Sequence, residues 1–207
     1  MEMKSFKHAG GLAMLALALL AAPAARADYA WIEADGPGAR VQVGELGTPR
    51  EARLVDARAL AASGQKLALP AEGARWEIPA APAGDLRFSA RTVDAAGTLE
   101  YLHARSGRHD TRAVNDLELA PTRPGGSTFR LYWKGEPVSA SLVRVSTAAG
   151  WQKTLRPAED GSVSLDTPFP GLYVLVVSAR MDGGAEVDGR RYAEVRHTAS
   201  LSFRVGE

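Results

Sequence analysis

From residue 28 onward, hydrophobic and polar positions alternate in short runs punctuated by glycine, proline and aspartate. A period of two puts every second side chain on one face of an extended strand. The runs ARVQVGE (39–45), DLRFSARTV (85–93), TLEYLHAR (98–105) and STFRLYW (127–133) carry this signature. In LRFSARTV, Leu86, Phe88, Ala90 and Thr92 fall on one side, and DAAG (94–97) predicts a hairpin turn into the following strand. DYAWIEAD (28–35) predicts a first strand with Tyr29, Trp31 and Glu33 on one face. No segment beyond residue 27 holds a long helical period. EARLVDARALAASG (51–64) leaves two readings open, a helix rich in Ala and Leu capped by Gly64, or a strand plus loop.

APTRPGG (120–126) interrupts the pattern, since its two prolines and two glycines disfavour both helix and central strand. Beyond it, turns at KGEP (134–137), AEDG (158–161) and PFPG (168–171) separate further strands. LYVLVVSARM (172–181) is apolar on nearly every residue of its first half, which predicts a central strand buried on both faces. The expected fold is therefore all-β, with two Ig-like β-sandwich regions. The expected organisation is a leader at 1–27, an N-terminal β domain at 28–121, a linker at 122–126 and a C-terminal sandwich at 127–207. Whether the two regions are separate sandwiches or one unit stays open at this point. Trp31, Trp76, Trp133 and Trp151 fall two on each side of the boundary, as core anchors or as a carbohydrate-stacking platform.

The leader changes the compartment. Lys4 and Lys7 precede the short apolar run GLAMLALALLAA (11–22), and ARA (25–27) fits a signal-peptidase cut. That run is too short to span a bilayer, for which a helix needs about 20 apolar residues. A cleaved signal peptide and a periplasmic protein are expected, with no membrane insertion after cleavage. Removing residues 1–27 takes away Lys4, Lys7, Arg26 and Glu2, so the formal charge of +1 drops slightly below zero. Such a balance predicts no nucleic-acid partner. The chain has no cysteine, which excludes disulfides, thiolate metal sites and thiol nucleophiles.

The motifs KGEPVSASLVRV and DGSVSLDTPFPGLYVLVVSA, at their spacing, resemble small transthyretin-like or carboxypeptidase-regulatory-like sandwiches. Across the chain, DYAWIEAD, NDLELAP (115–121) and RYAEVRHTASLSFRV (191–205) resemble, in order, a bacterial exported family known as a nickel-uptake substrate-specific region. That resemblance implies a periplasmic all-β protein associated with uptake of nickel or cobalt. Its partners would be a membrane metal transporter or an outer-membrane receptor. Members commonly carry a histidine just after cleavage, where this chain has Asp28.

Once His8 is lost with the leader, His103, His109 and His197 remain. Imidazole suits nickel, cobalt, copper and zinc, and a carboxylate can complete such a site. HARSGRHD (103–110) brings His103, His109 and Asp110 within one strand-and-loop segment, although Arg105, Arg108 and Arg112 beside them repel cations. That leaves metal ligation, anion contact and an ordinary solvated loop as readings. His197 lies on an alternating strand, facing outward or capping a core. Asp28, at a cleaved terminus, would offer an α-amine and a carboxylate to a divalent ion.

Catalysis has little support. The chain lacks H-E-x-x-H, G-x-S-x-G and P-loop motifs, GPGARV (36–41) lacks the third glycine of a dinucleotide loop, and only a convergent Ser/His/Asp triad stays open. The expectation is a non-catalytic accessory of transition-metal uptake, with a structural or adhesive module binding protein or glycan as the alternative. N-terminal sequencing of the exported protein should return Asp-Tyr-Ala-Trp from Asp28; a start at Met1 overturns the leader assignment.

Overall fold

The computed structural model describes residues 28–69, 76–139, 142–181 and 184–206. The leader assigned to 1–27 lies outside the described residues. The fold is all-β, and no helix occurs among the described residues.

The central element is an eight-stranded sheet. In spatial order it comprises β13 (Gln152–Leu155), β12 (Val143–Thr147), β15 (Gly171–Met181), β18 (Val195–Val205), β8 (Leu99–Ser106), β7 (Leu86–Val93), β4 (Val55–Ala61) and β5 (Lys66–Leu67). Its pairings are antiparallel except β18 with β8, which run parallel from Val195 opposite Leu99 to Ser202 opposite Ser106. This single parallel seam joins strands from the two halves of the chain into one hydrogen-bonded sheet.

Two four-stranded sheets cover opposite faces of the central one. The first holds β1 (Tyr29–Asp35), β2 (Gly38–Glu45), β3 (Thr48–Pro49) and β6 (Trp76–Ile78). Ala30 and Ile32 of β1 join Phe88, Leu102 and Ala104 in a core on that face. The other side of β1 sends Tyr29 and Trp31 onto Leu172, Val174 and Val176 of β15. The Ser200 and Ser202 hydroxyls of β18 donate to the carbonyls of Ala30 (2.5 Å) and Ile32 (2.6 Å), tying β1 across the seam. The second covering sheet holds β9 (Leu117–Pro121), β10 (Thr128–Trp133), β11 (Glu136–Val138) and β14 (Ser162–Ser164). Its Leu119, Phe129 and Val163 pack on Val145, Leu175 and Leu201. A small hairpin, β16 (Ala185–Val187) with β17 (Arg190–Tyr192), stands apart from these sheets.

Several expectations meet the structure directly. β15 is buried on both faces, as its unbroken apolar run predicts, and DAAG forms the β7/β8 turn. There Asp94 Oδ1 accepts from the Ala96 and Thr98 amides, and Gly97 takes a left-handed φ of 86°. The ambiguous stretch 51–64 resolves as strand β4 with flanking loops, because Ala59 is needed in the core beside Phe88. Residues 122–126, expected as a linker, form the turn of the β9/β10 hairpin, with the Thr122 amide donating to the Thr128 carbonyl. β9 thereby enters a covering sheet with the strands that follow it.

The face under β9 also carries something the alternation hides. Arg87 and Arg105 sit directly opposite each other on β7 and β8, each with a side chain no more than 1% exposed. Glu118 of β9 accepts from Arg87 Nε (2.9 Å) and Arg105 Nη1 (2.8 Å), and from the amides of Val114 and Asn115. Asp85 accepts from Arg105 Nη2 at 2.5 Å, and Asp110 from Arg87 Nη2 at 3.1 Å. The loop after β8 closes over Asp85 through Gly107, whose φ is 97°; a Cβ there would run into the Asp85 side chain.

Removing one member of such a cluster strands buried charge, at a cost of about 3–5 kcal/mol. Urea denaturation of Glu118→Ala should show a loss of this size; a loss below about 1 kcal/mol, the scale of a surface pair, would show that the cluster does not hold β9 in place.

Candidate functional site

The parallel seam brings together two histidines that lie 94 residues apart in the chain. His103 on β8 and His197 on β18 point to the same face, which is also the Arg87/Arg105 face. His103 Nε2 and His197 Nδ1 are 3.1 Å apart, and the rings are parallel to within 8°. Their centroids lie 5.4 Å apart, which is what the 3.1 Å contact plus one ring radius at each end adds up to. No larger separation is possible at that contact. The two rings therefore meet end to end and nearly in one plane, with a single in-line N–H···N bridge between them.

The surroundings are mainly aromatic. Tyr101 stacks on His197 at 4.6 Å, and the Trp133 ring meets His197 edge-on at 4.7 Å. Tyr101 and Trp133 are half-buried, while His103 is 3% and His197 6% exposed. His103 Nδ1 is buried and has no hydrogen-bond partner among the described residues. Burial lowers the pKa of His103 to about 4, with the neighbouring His197 adding to the shift. Burial likewise lowers His197 to about 4, against the pull of Asp116 and with the push of Lys134. Both imidazoles are thus neutral near pH 7.

The other predicted site residues lie elsewhere. His109 is exposed in the loop after β8, where its backbone amide donates to Asp85 Oδ1. Asp110 is held by Arg87 and Arg112. Burial pushes the Asp110 carboxyl up, but the hydrogen bonds from Arg112 and the charge and hydrogen bond of Arg87 outweigh it and bring it to about 2. The loop trio of His103, His109 and Asp110 is therefore not gathered, because Asp110 is committed to arginines and His103 to His197. Asp28 is ion-paired with Arg50 at the start of β1. Of the arginines expected around the loop, Arg105 is buried in the ionic cluster and Arg108 lies over the Phe203 ring at 4.1 Å. No group of three or more His, Cys, Asp or Glu residues suited to a metal occurs among the described residues. In the sequence His103 and His197 read as separate candidates; the pairing that unites them is a parallel one, which leaves no local turn signal.

No family model and no curated protein matches the sequence. Among solved structures, the chain is similar to one described as a tetra-tandem repeat in the extending region of a large adhesion protein, at 17% identity and a TM-score of 0.24. The match covers 86% of this chain and 49% of that one, so the chain spans about half the length of that structure.

The histidine pair has a consequence for acid stability. Its pKa values in the folded state lie below the ordinary imidazole value of about 6.5. The unfolded chain therefore binds these protons first, and the pair's contribution is present in full above pH 6.5 and lost as pH falls toward 4. The contribution of Asp110 is lost lower, as pH falls through 3.8 toward 2. Urea melts between pH 7 and 4.5 should show a decline on the order of 2 kcal/mol from each histidine, about 5 kcal/mol from the pair. The double variant His103→Gln/His197→Gln should flatten that slope; an equal slope in the variant would assign the decline to other groups.

Proposed function

We propose that this protein is a non-catalytic, exported accessory of transition-metal uptake. It captures an ion at His103 and His197 in the periplasm and serves a membrane transporter or an outer-membrane receptor. The observation that carries this reading is the pair itself, with ring nitrogens 3.1 Å apart. Imidazole in its unprotonated form is a common ligand of nickel, cobalt, copper and zinc. The half-buried Tyr101 and Trp133 border His197, so the way in for an ion lies on their side. The sequence resemblance supports the same reading through nickel and cobalt.

Calorimetry of the exported protein with nickel, cobalt, copper and zinc chlorides tests this function. One equivalent of at least one ion should bind, and His103→Ala or His197→Ala should abolish the heat. An absence of binding by all four overturns the reading, as does binding that both folded variants retain.

A further inference from the structure

The geometry points to a two-coordinate, monovalent d10 ion, of which Cu(I) is the natural case, held in line between His103 Nε2 and His197 Nδ1. This rests on the reading that the pair captures metal, and it names the ion class.

The ring lone pairs fix the directions from which an ion is held. A ring nitrogen's lone pair lies in the ring plane and points away from the centroid. Because the rings meet end to end and nearly coplanar, the two lone-pair directions lie along one line. An ion on that line sees donors at about 180°. Zinc takes a tetrahedral set, with donors at about 109°, whereas the square-planar and octahedral sets of nickel and cobalt accept a trans pair but need at least two further donors. To provide a tetrahedral angle, one ring would have to swing off the shared line, against the stacked Tyr101 and the Trp133 edge. An in-line ion asks for less. Two metal–nitrogen bonds of about 2 Å each need the nitrogens to separate by somewhat under an ångström along the axis they already share.

The number of donors favours the same ion. Two imidazoles are present with no third His, Cys, Asp or Glu grouped with them among the described residues. Aromatic rings occupy two of the directions from which water would complete a larger shell around His197. A divalent ion here would be under-coordinated, whereas a d10 monovalent ion is satisfied by two donors.

The surrounding charge also favours a monovalent ion. The charged groups acting on the pair are Arg58 and Lys134, both positive, and Asp116, negative. Two positive groups against one negative give a divalent ion no compensation, and one charge is easier to bury than two. The bridging proton belongs to one ring and can move to that ring's other nitrogen. Both lone pairs then face the ion without a net change of charge on the protein.

The test is an anaerobic competition in which the exported protein withdraws Cu(I) from its bicinchoninate complex, beside titrations with nickel and cobalt chlorides. We expect one equivalent of Cu(I) bound at least about tenfold more tightly than either divalent ion, and lost in His103→Ala and in His197→Ala. X-ray absorption of the wild-type Cu(I) protein should show two nitrogen neighbours, a readout that does not depend on the variants folding. Nickel or cobalt bound through the pair as tightly as Cu(I) would overturn this inference and leave metal capture standing. A Cu(I) shell of three or four donors, or Cu(I) retained by folded variants, would also overturn it. If none of the ions binds, the capture reading falls first and this inference with it.

Discussion

Two guanidinium groups sealed from water set the terms for the rest of the molecule. Arg87 and Arg105 face each other across β7 and β8, and their charges are met by carboxylates from three places, Asp85, Asp110 and Glu118. Buried charges tolerate little slippage, because a shifted donor loses both its partner and its access to solvent. Glu118 therefore fixes where β9 lies on the central sheet, and β9 in turn fixes the hairpin that begins the second covering sheet. The apolar cores on either face supply most of the burial, and the ionic cluster supplies the alignment.

The same sheet face carries the histidine pair beside the cluster, with Ser89 and His103 opposite each other next to Arg87 and Arg105, and His197 on the neighbouring β18. The contrast between the two clusters is chemical. Oxygen acceptors surround the arginines, whereas the histidines have mainly each other and aromatic carbon. Both clusters leave buried nitrogens without a partner among the described residues, Arg87 Nη1 and Arg105 Nε in one and His103 Nδ1 in the other; the pair differs in being neutral, enclosed by aromatic rings and able to offer ring lone pairs. That difference gives the pair its chemical interest.

Local pattern foretells local structure well in this chain. Strands β7 and β8, the Asp94–Gly97 turn and the doubly buried β15 follow from alternation, turn chemistry and an unbroken apolar run. What the pattern hides has a common cause. Arg87 and Arg105 occupy the polar positions of alternating strands, so they read as solvent-facing; only β9 and the loop over Asp85, folded down from elsewhere, bury them. His103 and His197 were each visible as candidate ligands, but their meeting depends on which strands lie side by side. A parallel pair of distant strands has no hairpin and no short connection to announce it. Residues 122–126 had the proline and glycine content of a linker because a tight hairpin turn uses the same residues.

The parallel seam also dictates a sequence of events in time. β8 is synthesised long before β18, and until β18 arrives the hydrogen-bonding edge from Leu99 to Ser106 has no neighbour on that side. An open edge of this kind invites pairing with other chains. Contacts of such sequence separation also form slowly. The first half, even with its own core assembled around Phe88, is thus an unfinished surface until β18 arrives. The histidine pair, split across the seam, comes into being only when β18 docks, so an assembled pair marks a molecule that has completed this sheet.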